Sequence, residues 1–128
     1  MNKKTILIIE DEEPLLRALK DRLTNVGFKV FTEMDGDAGF VTAIREKPDL
    51  ILLDIVMPKE GGLAMARRLR GDEWGKDVKI ILLTNVGGID RVQEAMELNI
   101  YEYFMKTDIE IEQVVERVKA MVGGPDEE

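Results

Sequence analysis

The chain has 128 residues, of which 26 are acidic and 18 are basic, and its formal net charge at pH 7 is −8. Because it contains no cysteine and no histidine, it has no disulfide, thiolate nucleophile, imidazole base or typical zinc site. The negative charge disfavours direct binding to nucleic acid or to anionic membranes, and the first apolar run is too short for a signal peptide or membrane span. We therefore expect a cytoplasmic protein whose chemistry uses carboxylates, hydroxyls, lysines and backbone groups.

The length predicts one compact domain, because domains typically have about 100–150 residues. With 45% hydrophobic residues, the chain has enough apolar material to bury a core. We assign residues 1–122 to this domain. Residues 123–128, Gly-Gly-Pro-Asp-Glu-Glu, are interpreted as a polar tail or the stub of a linker.

Apolar runs of strand length alternate with segments of helical periodicity along the whole chain. This alternation is typical of an α/β domain with a parallel sheet. The predicted strands are Thr5–Glu10, Phe28–Glu33, Leu50–Asp54, Val78–Thr84 and Ile100–Met105. The third and fourth are almost continuously apolar, which predicts central strands covered on both faces. The second and fifth are more mixed and are predicted to be edges.

A helix is predicted after each strand. The approximate bounds are Pro14–Val26, Asp35–Lys47, Leu63–Arg70, Asp90–Leu98 and Thr107–Met121. In the second helix, Asp35 is the expected N-cap, and Phe40, Val41 and Ile44 are expected to face the core. In the fifth, residues 107–110 have the pattern of a capping box, Thr-Asp-Ile-Glu.

Polar residues stand at the ends of four predicted strands. The first strand ends at Glu10-Asp11, the third at Asp54, the fourth at Thr84, and Lys106 follows the fifth. Ligands bind at the carboxyl ends of strands in open parallel sheets, so these groups are expected on one edge. Three neighbouring carboxylates need neutralising cations, and one Mg²⁺, or Mn²⁺ as a substitute, together with the lysine would balance their charge.

A neutralised carboxylate cluster beside a hydroxyl and an ammonium suits phosphoryl transfer, in which positioning and charge stabilisation do most of the catalysis. Asp54 is the candidate nucleophile, because it stands at the end of a central strand and needs no base to be ionised. An acyl phosphate on this residue would be either a covalent intermediate or a stored signal.

The same residues occur in an ordered set of motifs. They are Ile8-Ile9-Glu10-Asp11, Leu52-Leu53-Asp54-Ile55-Val56-Met57-Pro58 with Gly61-Gly62, Leu82-Leu83-Thr84, and Tyr103-Phe104-Met105-Lys106. From about Lys4 to Val122 the chain resembles the response-regulator receiver domains of two-component signalling. The resemblance implies a flavodoxin-like, doubly wound α/β fold with five parallel strands in the order 2-1-3-4-5 and five helices.

The resemblance also implies a role for each site residue. It makes Asp54 the phosphoacceptor, with Thr84 and Lys106 as the catalytic groups beside it. Glu10, Asp11, Asp54 and the carbonyl of Val56 would bind the metal. Thr84 would also act as the switch hydroxyl, and Tyr103 as the switch aromatic residue. The departures from the family pattern are Thr107, where proline is usual, and Asn85, where a smaller residue is common.

The function implied by the resemblance is a Mg²⁺-dependent phosphorylation switch in two-component signal transduction. It would take a phosphoryl group from a sensor histidine kinase or a phosphotransfer protein and would catalyse only its own phosphorylation and dephosphorylation. Because the chain lacks histidine, a phosphohistidine donor must be another protein. The output is expected to be protein–protein contact through the face of the fourth helix, fifth strand and fifth helix.

Three other functions are alternatives to the switch. A phosphatase with an aspartyl nucleophile commonly has a second Asp two residues later, where this chain has Val56. A nucleotide or flavin binder is disfavoured because G-x-G-x-x-G and a P-loop are missing and Gly87-Gly88 lacks the required context. A phosphate-blind scaffold is unattractive because every acidic and switch residue is retained. Apolar Val56 and Val86 predict slow hydrolysis of the phosphate.

Overall fold

The computed structural model describes residues 3–57, 61–85 and 90–126. Pro58, Val86 and Gly87-Gly88, named above, lie outside these ranges. Within them, the strands form one parallel sheet in the order β2-β1-β3-β4-β5. The predicted order 2-1-3-4-5 is confirmed, and the chain has the doubly wound α/β fold.

The strands and helices agree with the predicted elements to within a few residues at each end. The strands are β1 Thr5–Ile9, β2 Lys29–Glu33, β3 Leu50–Asp54, β4 Lys79–Thr84 and β5 Glu102–Met105. The helices are α1 Glu13–Val26, α2 Gly36–Glu46, α3 Gly62–Arg70, α4 Arg91–Met96 and α5 Ile111–Val122. Short 3-10 turns span Gly75–Asp77 and Lys106–Asp108.

The core lies on both faces of the sheet, because successive side chains of a strand point to opposite sides. In β1, Ile6 and Ile8 pack with α1 and α5, whereas Leu7 and Ile9 pack with α2, α3 and α4. Every residue of β3 is buried, while most residues of β2 and β5 are only partly buried. The predicted central and edge strands are thus confirmed.

The helix ends follow local chemistry. Pro14 lies in the first turn of α1, where its missing N–H costs no hydrogen bond. Gly27 ends that helix with φ 122°, and its N–H donates to the carbonyls of Leu23 and Thr24. Asp35 is the N-cap of α2, as predicted, and its Oδ1 accepts the Ala38 N–H at 2.8 Å.

Two details of the helix predictions are wrong. The predicted capping box of residues 107–110 does not form: residues 106–108 make a 3-10 turn, and α5 begins at Ile111 after Glu110, which makes no side-chain cap bond. The chain turns directly after β5 because Lys106 is bound to carboxylates at the sheet edge. Val41 is 54% exposed instead of buried, because α2 faces the sheet with a stripe of small residues that includes Gly39 and Ala43.

β5 also begins later than predicted. The Ile100 N–H donates to the Ala95 carbonyl at 3.2 Å and closes the end of α4, and Asn99 takes a left-handed φ of 59°. The last described residues lie beside the residues that precede β1, where Lys3 forms an antiparallel bridge with Asp126 and the Lys4 N–H donates to the Pro125 carbonyl at 2.7 Å. The assignment of residues 123–128 to a tail stays a prediction. No helix in the described ranges is long and apolar enough to cross a membrane.

Candidate functional site

The register of the central strands places two acidic residues side by side at the carboxyl edge. Ile9 pairs with Leu53, so the next residues, Glu10 and Asp54, are neighbours. The side chain of Glu10 is fully buried and Asp54 is 2% exposed. Asp11 follows at the start of the connection to α1 and is half-buried. The predicted convergence of the three carboxylates is therefore present.

Lys106 reaches this cluster from the end of β5. Its Nζ lies 2.9 Å from Glu10 Oε2, 3.1 Å from Asp54 Oδ2 and 2.8 Å from Glu12 Oε1. The lysine side chain is 7% exposed. A nearly buried ammonium thus binds the carboxylates that end the first and third strands.

Backbone groups hold the same carboxylates. The Val56 N–H donates to Asp54 Oδ1 at 3.2 Å, and the Glu12 N–H donates to Glu10 Oε2 at 2.9 Å. These bonds fix the two side chains against the loops that follow their strands. Among the described residues, Glu10 Oε1 is buried and has no hydrogen-bond partner. A buried acceptor of this kind costs about 1–3 kcal/mol unless a donor or cation satisfies it.

Burial and the closeness of the carboxylates shift the pKa values of the site residues. Burial, followed by the charge of Glu10 and a hydrogen bond with Asp11, raises the pKa of Asp54 to about 7. Burial likewise raises the pKa of Glu10, although bonds to Glu12 and Lys106 oppose the shift. For Lys106, burial lowers the pKa, but the bonds to Glu12 and Glu10 and the charge of Asp54 outweigh it and the net shift is upward. The lysine therefore stays charged, and the site favours additional positive charge.

A divalent cation fits this arrangement. In the described part of the chain, one oxygen each from Glu10, Asp11 and Asp54 lies within 4.8 Å of the others. The donors are all oxygens, which Mg²⁺ and Mn²⁺ prefer. A cation among them would also satisfy the unpartnered Glu10 oxygen and relieve the repulsion that raises the pKa of Asp54.

The other two predicted functional residues lie on the strands beside the cluster. Thr84, the last residue of β4, is fully buried, and its hydroxyl donates to the Asn85 carbonyl at 3.1 Å. Tyr103 on β5 is 43% exposed and pairs with Leu82. Because Leu82 and Thr84 are two residues apart, Thr84 and Tyr103 are on the same face of the sheet. The structure thus places both on the side of the sheet that α3 and α4 cover.

The glycine motif after Asp54 has a steric explanation. A Cβ on Gly62 would lie 2.0 Å from the backbone carbonyl oxygen of Asp54, whereas a Cβ on Gly61 would come no closer than 3.6 Å to Ile55 O. The Gly62 N–H donates to the same Ile55 carbonyl at 2.9 Å. The start of α3 can therefore pack directly on the backbone that carries the Asp54 side chain only if residue 62 is glycine.

One residue of the site was not predicted. Glu12 contacts Lys106, and no motif in the sequence singles it out. In the sequence Glu12 resembles its acidic neighbours Asp11 and Glu13, and its role depends on a contact with a residue 94 positions away.

The fold and the site define a doubly wound α/β domain with an acidic, lysine-bound cluster at the carboxyl edge of its sheet. The family model described as the response regulator receiver domain matches residues 6–119, and the chain belongs to this family. It is therefore a component of phosphorylation-dependent two-component signalling, in which receiver domains are switches and not classical enzymes. The resemblance deduced from the motifs is confirmed.

Relatives with longer chains are similar to most of this chain. The probable transcriptional regulator ycf27 of Cyanophora paradoxa is 36% identical over 107 residues, which cover 83% of this chain and 43% of that protein. The phosphate regulon transcriptional regulatory protein PhoB of Pseudomonas aeruginosa is 34% identical over 119 residues, covering 93% of this chain and 52% of that protein. The chain spans about half the length of these curated relatives.

A solved structure shows the same fold. The receiver domain of the sensor histidine kinase PA1611 from Pseudomonas aeruginosa PAO1 matches with a TM-score of 0.83 and 24% identity, covering 96% of this chain and 100% of that chain. That structure has a magnesium ion coordinated in its active site cleft.

Proposed function

We propose that Asp54 is the phosphoacceptor of this receiver domain and that the chain catalyses the transfer onto itself. The observation that carries the proposal is the position of the Asp54 carboxylate, which is buried at the end of β3 between the Lys106 ammonium and the acidic pair. Asp49, at the opposite end of the same strand, accepts the Thr5 N–H at 2.8 Å and has a structural role.

The transfer has a simple balance of atoms. An Asp54 carboxylate oxygen forms a bond to the phosphorus of a phosphohistidine, and the P–N bond breaks with its electron pair remaining on the imidazole nitrogen, which then takes up a proton. The product is an acyl phosphate, and attack by water later returns the carboxylate and inorganic phosphate. Lys106, already in contact with Asp54 Oδ2, is placed to neutralise phosphoryl oxygens.

The groups proposed to hold Mg²⁺, or Mn²⁺ as a substitute, are the side chains of Glu10, Asp11 and Asp54 and the carbonyl of Val56. When bound, the cation supplies positive charge for the phosphoryl oxygens and lowers the repulsion within the cluster. The close approach of the three carboxylates and the unpartnered Glu10 oxygen support this part of the proposal.

The donor is proposed to be a sensor histidine kinase or a phosphotransfer protein, because the chain has no histidine of its own. The phosphatase alternative is disfavoured, since Val56 supplies no acid two residues after Asp54. Direct contact with nucleic acid or membrane is not expected from the net charge of −8. A cytoplasmic location stays a prediction.

The signal is proposed to pass from Thr84 to Tyr103. The Thr84 hydroxyl now bonds the Asn85 carbonyl, and turning to a phosphoryl oxygen would free space on the face that Tyr103 shares. Inward rotation of the exposed Tyr103 side chain would then change the surface of α4, β5 and α5 that a downstream protein reads. Amide chemical-shift changes on phosphorylation should lie on that surface, and changes confined to the region of α2 would contradict the route.

The phosphoacceptor is tested by incubating the protein with acetyl phosphate and Mg²⁺ and measuring the intact mass. We expect the addition of one phosphoryl group, with acetate as the leaving group, and no addition to Asp54→Asn. Asp49→Asn is the matched control, because it makes the same change at the opposite end of β3 and should still be labelled. Label that persists in Asp54→Asn would refute the assignment.

A further inference from the structure

The Lys106 ammonium has as many carboxylate partners as it has hydrogens to donate. Its Nζ bonds to Glu10 Oε2, Glu12 Oε1 and Asp54 Oδ2 at 2.8–3.1 Å. An ammonium group has three N–H bonds. A phosphoryl oxygen arriving at Asp54 can therefore receive a hydrogen bond from Lys106 only if one of these carboxylates gives up its place.

Glu12 is the partner that can leave most easily. Its side chain is 58% exposed, so water replaces the lysine at little cost, whereas Glu10 is fully buried. Glu10 also accepts the backbone N–H of Glu12 and belongs to the proposed metal cluster. Asp54 is the group that is phosphorylated and must remain close to the lysine.

We propose that Glu12 is a positioning residue that holds Lys106 in the unphosphorylated site and exchanges it for the phosphoryl group. The inference rests on the proposed function. Glu12 also adds a fourth carboxylate to the three that one divalent cation and Lys106 would neutralise, which leaves the mouth of the site with an excess negative charge. Both effects slow phosphorylation by an anionic donor.

The exchange predicts an asymmetry between the forward and reverse reactions. Phosphorylation requires the Glu12–Lys106 contact to break, so its removal should raise the rate about two- to five-fold, the range supported by an exposed ion pair. Hydrolysis starts from a state in which the contact is already broken, so its rate should not change. A side chain that only stabilises the fold would produce neither the acceleration nor this asymmetry.

The experiment measures the rates of phosphorylation by acetyl phosphate at saturating Mg²⁺ and of the later decay, for the parent and three variants. Glu12→Gln removes the charge, and Glu12→Asp keeps the charge but shortens the side chain so that it loses Lys106. Glu13→Gln is the matched control, because Glu13 is the next residue and pairs with exposed Arg17. We expect faster phosphorylation of both Glu12 variants, parental phosphorylation of Glu13→Gln and parental decay of all three.

Each contrary result has a distinct meaning. Parental rates in both Glu12 variants would overturn this inference alone, because the parent would still be labelled at Asp54. The inference would also be overturned if phosphorylation were faster in Glu12→Gln but not in Glu12→Asp, or equally faster in Glu13→Gln. Either result would show that the negative charge slows phosphorylation without the contact to Lys106. No label on the parent would overturn the proposed function, and this inference with it.

Discussion

The stability of the metal-free protein should fall as pH rises toward neutrality, because of Asp54. Burial, the charge of Glu10 and the hydrogen bond with Asp11 raise the pKa of Asp54 from 3.8 to about 7. Within this window the folded protein retains a proton that the unfolded chain has released. The free energy of unfolding therefore decreases as pH increases through the window and levels off above it.

The magnitude follows from the width of the window. Each pH unit in which only the folded state binds the proton changes the free energy of unfolding by about 1.4 kcal/mol. Between about pH 5.5 and 7.5, Asp54 contributes over roughly 1.5 units, so the expected loss is about 2 kcal/mol. Because Asp54 is 2% exposed, solvent screening reduces this value little. The raised pKa of Glu10 acts in the same direction.

The assay is urea denaturation with a chelator at several pH values, followed by the fluorescence of Trp74, the one tryptophan of the chain. The chain has no histidine to titrate in the same range. Asp54→Asn is the matched variant, which keeps the shape but cannot titrate at position 54, and its stability should fall less steeply with pH, with the remaining slope coming from Glu10. Saturating Mg²⁺ near pH 7.5 should restore stability to the parent. Parental stability that is constant or rises between pH 5.5 and 7.5, or an equal slope in Asp54→Asn, would refute the reasoning.

The remaining predictions concern the glycine pair, the metal and the lifetime of the phosphate. Gly62→Ala should lower the free energy of unfolding, measured by urea denaturation, by about 2 kcal/mol or more, because its Cβ would lie 2.0 Å from Asp54 O. Gly61→Ala should lower it by less than about 1 kcal/mol, because the nearest atom to its Cβ is 3.6 Å away. Equal losses would rule out the steric explanation. Asp11→Ala should weaken Mg²⁺ binding about tenfold or more in a calorimetric titration, and parental affinity would place the metal elsewhere. Val56→Asn should speed decay of the phosphorylated protein about tenfold, because an amide can orient water that the 52% exposed valine cannot. Unchanged decay would make Val56 an ordinary loop residue.

The elements and the site residues could be predicted from the sequence because each depends on a local pattern. The apolar runs mark the strands, and the polar residue directly after each run must lie at the carboxyl edge, as Glu10, Asp54 and Lys106 do. The order of the strands in the sheet does not depend on a local sequence pattern. The apolar patterns separate central from edge strands, but the order 2-1-3-4-5 came from the family resemblance, because nothing local distinguishes the neighbours of β1.

The features that the sequence did not predict depend on contacts between distant segments. Residues 107–110 have a capping-box pattern, but the bond from Lys106 to Glu10, 96 positions away, holds the chain at the sheet edge and delays α5. Glu12 resembled an ordinary exposed acid at the start of α1, and only the position of Lys106 gives it a role. Val41 has the apolar character of a core residue, but small residues of α2 occupy that face.

The central claim is that Asp54 carries the phosphoryl group, and reduction of the acyl phosphate tests it most directly. Borohydride converts a phosphorylated aspartate to homoserine, which mass spectrometry of peptides can locate in the chain. After phosphorylation in the presence of Mg²⁺, we predict homoserine at position 54 and at no other acidic residue. The account would be contradicted by homoserine at position 11 or by a reduced side chain at Glu12. It would also be contradicted if position 54 were unmodified in protein that has gained a phosphoryl group.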